Sequence, residues 1–176
     1  MALIIIRLLI FASIALSTYM IVVTLERCRS EKRYLFIYSV VALILYNLGY
    51  LIEMSSGNTG GGIIAIKIMY AGGCFMSPLF FFFTADYCEL RIPKKYYILP
   101  LLIIPILFYM VVLTFDRHTL LYLDYFYNYD HPLLGMTIEP GPLYLVGTFY
   151  PLFCIGLSMV VLIRSMVKQT DRKSVV

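Results

Sequence analysis

At 176 residues, 61% hydrophobic and only 14% charged, with a mean hydropathy of +0.87, the chain is too apolar for a soluble domain and reads as an integral membrane protein. Its formal charge of +4 does not point to nucleic acid, because the basic residues fall in short clusters between apolar runs, as in cytoplasmic loops. Cys28, Cys74, Cys88 and Cys154 form neither a disulfide framework nor a zinc spacing, so all four are expected to be reduced and structural.

The first apolar run, about residues 3–25, continues past any plausible cleavage site and stops against a basic loop. It reads as an uncleaved helix rather than a signal peptide. The loop Glu26 to Arg33 carries Arg27, Arg29, Lys32 and Arg33, and a second span follows over about residues 34–54. A charge-free, glycine-rich stretch, SSGNTGGG, is expected to turn the chain into a third span at 63–87. That segment, about 25 residues long, is sufficient to cross a bilayer core with some tilt. Lys67, Tyr70, Cys74 and Ser77 share one of its faces, and a lysine this close to hydrocarbon requires a polar partner on another helix.

The loop CELRIPKK leads to a fourth span at about 96–115, with Pro100 and Pro105 accommodated as kinks. A polar segment, 116–142, separates it from a fifth span at 143–163. Within that segment LLYLDYFYNYD and LLGMTIEP are partly alternating and β-prone around Asp130-His131-Pro132, so a small hairpin is expected. Residues 1–170 then form one transmembrane domain, with 171–176 as a cytoplasmic tail. The loops after spans one, three and five hold 11 of the 14 Lys and Arg, which places the N-terminus outside, the C-terminus in the cytoplasm and the hairpin loop outside.

No phosphate-binding glycine loop followed by lysine, HExxH or nucleophile elbow occurs, and five spans do not fit a simple inverted repeat. Neither catalysis nor a cofactor is expected. The polar residues instead gather near the outer ends of several spans. Asn47, Tyr50 and Glu53 drift along one side of the second span, and Lys67 and Tyr70 enter the third at similar depth. Because the turn between these spans is short, Glu53 and Lys67 are the expected ion pair, serving to lock two helices or to contact a ligand. His118, beside the membrane surface, could ligate a metal only with His131 and is read as structural. Most of the tyrosines suit the headgroup layer, but Tyr122, Tyr144 and Tyr150, with Tyr50 and Tyr70, can line a pocket that opens outward. Asp86, at the other end of span three, is expected to be solvated or paired with Lys94 or Lys95.

The residues that carry this pattern also carry a likeness. NLGYLIEM with Gly49, Tyr50 and Glu53, then Lys67, Tyr70, Gly72 and Pro78 in KIMYAGGCFMSPLFFFFTADY, then Thr114 and His118 in LTFDRHTLLY, followed by GPLYLV, resemble the seven-transmembrane N-terminal sensor region of bacterial histidine kinases and diguanylate cyclases. The likeness runs from about Leu35 to Arg164. It implies a non-enzymatic sensory module of a bacterial inner membrane that feeds a cytoplasmic PAS, kinase or cyclase domain, in cis or in trans.

The chain departs from that pattern in having five spans instead of seven and no output domain after Arg164. It is expected to be either part of a longer protein or a short relative that signals through a partner. The expected architecture is an all-α bundle of five transmembrane helices in lipid with a short extracellular hairpin loop, leaving room for a homodimer. An extracellular small-molecule or peptide ligand is expected between spans two, three and five, at Asn47, Tyr50, Glu53, Lys67, Tyr70, His118, Tyr122, Tyr144 and Tyr150. The alternatives are a small transporter or channel subunit, or an assembly subunit without a ligand. A transport path is poorly supported, since span three offers only Ser77 between Cys74 and Thr84 and span four no charged residue from Ile98 to Phe115.

Overall fold

The computed structural model describes residues 2–30, 33–90, 95–128 and 136–174, with side chains described for 3–30, 33–90, 98–128 and 136–168. Five helices follow one another: α1 (Ala2–Arg27), α2 (Arg33–Ser56), α3 (Thr59–Tyr87), α4 (Lys95–Leu113) and, after a hairpin, α5 (Tyr144–Ser174). α1, α2, α3 and α5 are each long and apolar enough to cross a membrane. The apolar part of α4, Ile98–Leu113, is shorter. The protein is thus an all-α membrane bundle with a small β element.

The expected glycine-rich turn is much shorter than its composition suggested. Asn58 is extended, at φ −153°, and its side-chain oxygen accepts from the Gly61 N–H, so it caps α3. Thr59 and the three glycines after it are already helical. Only Gly57 and Asn58 lie between α2 and α3, and Gly57 takes the left-handed φ of +60° that reverses the chain.

α2 and α3 form the closest pairing in the bundle, and small residues explain it. A Cβ on Gly72 would stand 2.1 Å from the Ala42 carbonyl oxygen, and one on Gly49 would stand 2.5 Å from the Met69 nitrogen. Backbone therefore lies on backbone, the approach that small residues permit between apolar helices. α1 packs on α2, and both α4 and α5 pack on α3, which makes α3 the central helix.

β1 (Tyr122–Tyr127) and β2 (Met136–Pro140) pair antiparallel, as the two alternating stretches of the loop predict, with an irregularity between Tyr122 and Asp124. The stretch Asp130-His131-Pro132 lies outside the described residues, as do Lys94 and the side chain of Lys95 named as partners for Asp86. The hairpin folds back onto the bundle. Leu121, Tyr122, Tyr127 and Met136 are buried with Ile66 and Cys74 of α3 and with Phe108, Val112 and Phe115 at the end of α4. A second core, around Phe81, Phe82, Ala85, Leu101 and Cys154, fills the end of the bundle nearer the basic loops.

Candidate functional site

Polar side chains at the hairpin end find partners that local sequence does not suggest. Lys67 Nζ lies 2.8 Å from Asp116 Oδ1, just past α4, and 5.7 Å from the centre of the Phe115 ring. The expected Glu53–Lys67 pair does not form. Glu53 is buried, and its Oε1 accepts the Met136 backbone N–H at 3.0 Å. The first residue of β2 would otherwise bury a donor without an acceptor, so the α2 carboxyl group ties the hairpin to the bundle. Asp116 is mostly solvated, and its bond to Lys67 holds the carboxyl below the ordinary carboxylate value. Arg7 completes this end by donating to the Met54 carbonyl at 2.7 Å, one of the acceptors that the last turn of α2 leaves open.

Beneath the hairpin lies a cleft of about 450 Å³ between α3, α4 and α5. Tyr70, Cys74 and Ser77 line it from α3, Pro105 and Phe108 from α4, Tyr144, Gly147 and Tyr150 from α5, and Tyr122 and Ile138 from the two strands. α2 reaches it through Tyr46. The Tyr122 hydroxyl donates to that of Tyr70 at 3.0 Å, joining hairpin to α3 across one wall, and the Tyr122 and Tyr144 rings are 6.0 Å apart. Burial is the main cause that pushes the Tyr122 hydroxyl well above the ordinary phenol value, so it remains a neutral donor.

The cleft's shape follows from prolines. Pro105 has no N–H to offer the carbonyl one turn back, that of Leu101. The Tyr150 hydroxyl of α5 donates to that oxygen instead, so one phenol both satisfies the kink of α4 and holds α5 beside it. Pro151 produces the same vacancy in α5 at Gly147, where Phe108 of α4 presses in; a Cβ on Gly147 would stand 2.5 Å from the tip of the Phe108 ring. Pro105 and Pro151 both line the cavity.

Of the nine residues expected at the site, Tyr70, Tyr122, Tyr144 and Tyr150 line the cleft. The other five do not. Asn47 donates to Ser13 Oγ at 3.0 Å and holds α2 to α1. Tyr50 is exposed on α2, and Glu53 and Lys67 are engaged as described. His118 lies 3.1 Å from Thr114 Oγ1 and accepts the Leu120 N–H, so it shapes the turn after α4. The cavity involves α4 much more than α2, whereas the expected ligand position lay between spans two, three and five. Sequence reasoning takes Pro105 only as a kink and places neither it nor Phe108 at the cleft, because it seeks polar groups.

Membrane-spanning helices around a cavity capped by a hairpin, with no charged side chain among the described lining residues, define a class of helical membrane bundle. A family model described as the N-terminal 7TM region of histidine kinase matches residues 8–175, so the chain belongs to that family. It is a transmembrane sensory input module of the histidine-kinase type. No curated protein and no solved structure matches the chain.

Proposed function

We propose that this module senses a ligand in the cleft beneath the hairpin, in a bacterial inner membrane with the hairpin outside and the C-terminus of α5 in the cytoplasm. The observation that carries the reading is the composition of the cleft wall, in which one cavity is built mainly from the hairpin and from α3, α4 and α5, each of which has a proline inside the helix. A molecule that fits one packing of α4 and α5 better than another biases the two by its differential affinity, and α5 carries the bias toward a cytoplasmic output domain. The lysine and histidine clusters of ordinary ligand sites are not needed for this, because the switch is a change in packing.

The test places bulk in the cavity. Ser77→Leu, in the receptor that carries this region, is expected to insert normally and to lock the output at one level whatever the stimulus. A variant that inserts and then responds over the full range would remove the cleft from the signalling pathway.

A further inference from the structure

We propose that the occupant of the cleft is an uncharged amphiphile, a small molecule with an apolar body and a hydrogen-bond acceptor near its end. This rests on the reading of the cleft as the sensory site and narrows the ligand to a chemical class. The first ground is charge. Among the described residues no Asp, Glu, Lys, Arg or His lines the cavity, and Lys67 and Glu53 at the hairpin end are engaged elsewhere, Lys67 with Asp116 and Glu53 with the Met136 N–H. An ion entering such a space would lose its hydration with nothing to replace it, which discriminates strongly against carboxylates, ammonium groups and zwitterionic peptides.

The second ground is an unspent donor. Tyr70 and Tyr122 have two phenolic protons, their mutual bond uses one, and the other has no acceptor among the described residues. A carbonyl, ester or hydroxyl oxygen placed against the pair would take it. The third ground is the route. Ile104 of α4 and Val146 and Leu152 of α5 are exposed on the rim, so the opening is walled by apolar side chains that suit entry from lipid. The volume of about 450 Å³ falls in the range of small-molecule pockets and suits a compact molecule with a chain of medium length. The phosphate of a phospholipid would find no cation among the described lining residues, which argues for a free amphiphile over a resident lipid.

The experiment uses the purified chain in nanodiscs with tritiated 2-decanone as probe and empty nanodiscs as blank. Saturable excess binding is expected, displaced by 1-decanol and at least tenfold less well by decanoate or decyltrimethylammonium. The double variant Tyr70→Phe with Tyr122→Phe is expected to weaken the ketone about three- to tenfold while leaving the apolar walls intact. Thr148→Trp and Ile104→Trp, which narrow the cavity from α5 and α4 separately, are expected to abolish saturable binding, each variant being checked for helicity and monodispersity.

Equal competition by either charged decyl compound would overturn the inference and still leave the cavity as a ligand site. Saturable binding that survives both tryptophan variants, or no saturable binding at all, would overturn it outright. A phospholipid retained through purification in the parent but lost in both tryptophan variants would also overturn it. In every case the Ser77→Leu signalling test reads the cleft's sensory role independently of ligand class.

Discussion

The seam between α2 and α3 and the seam between α4 and α5 solve the same problem in opposite ways. The first is closed with glycine, so that the Ala42 carbonyl lies against Gly72 and Met69 lies against Gly49 with no room for a methyl group. The second is held apart at its middle by the bulk of Phe108 and Tyr150, crossed by a single hydroxyl bond to Leu101, and leaves a cavity. Close-packed backbones cannot adjust, whereas aromatic side chains at a proline kink can rotate and still satisfy their polar groups. The bundle therefore couples a fixed pair to an adaptable one, with α3 common to both.

The sharpest way to break this contrast is a methyl group added to each seam. Gly72→Ala should cost about 3 kcal/mol or more, because the new Cβ meets backbone that cannot move aside. Gly147→Ala meets only the end of a phenylalanine ring, and the helix propensity gained offsets part of the crowding; a cost within about 1 kcal/mol is expected. Unfolding of both variants in mixed detergent micelles measures the difference, and equal costs would erase the distinction between the seams.

Removing the tie between hairpin and bundle comes next in size. Glu53→Ala leaves the buried Met136 N–H without its acceptor, a loss of about 1–3 kcal/mol. It should appear as faster hydrogen exchange at the strand residues 136–140, while the α2–α3 helices keep their protection. Tyr150→Phe is expected to be milder, about 1 kcal/mol, since it frees only the Leu101 carbonyl at the kink. Its readout is increased mobility of α4 relative to α3 in spin-label distances, with the distance between α2 and α3 unchanged.

The smallest effect belongs to the solvated Asp116. Because its bond to Lys67 lowers the folded-state value below the ordinary 3.8, the stability that it contributes is present above that value and lost as pH falls through the lower folded one. Thermal unfolding should therefore be insensitive to this group near neutrality. Asp116→Asn should flatten whatever acid dependence is seen below about pH 4, and screening at high salt should do the same.

Much of this architecture is legible in the residues. Apolar length is a strong signal because a bilayer imposes it, so the long apolar runs coincide with helices, and the alternation in YLDYFY and MTIEP marks the two strands. The partners at the hairpin end are less legible. Glu53 was matched to the nearest cation along the chain, but its acceptor is met by a backbone N–H, which every residue but proline carries and no sequence distinguishes. The mate of Lys67 is 49 residues away, and only its position directly after a span, at matching depth, hinted at it. Pro105 is readable as a kink, yet that it and Pro151 line one cavity depends on the packing of α4 and α5 around α3, which a linear pattern does not contain.

The two-residue link at Gly57 and Asn58 has a mechanical consequence. An antiparallel pair joined so tightly, and seated glycine against backbone, has no slack for one member to travel along its axis without dragging the other. Sliding of α2 along α3 is thereby closed, and the two move as one body relative to their neighbours.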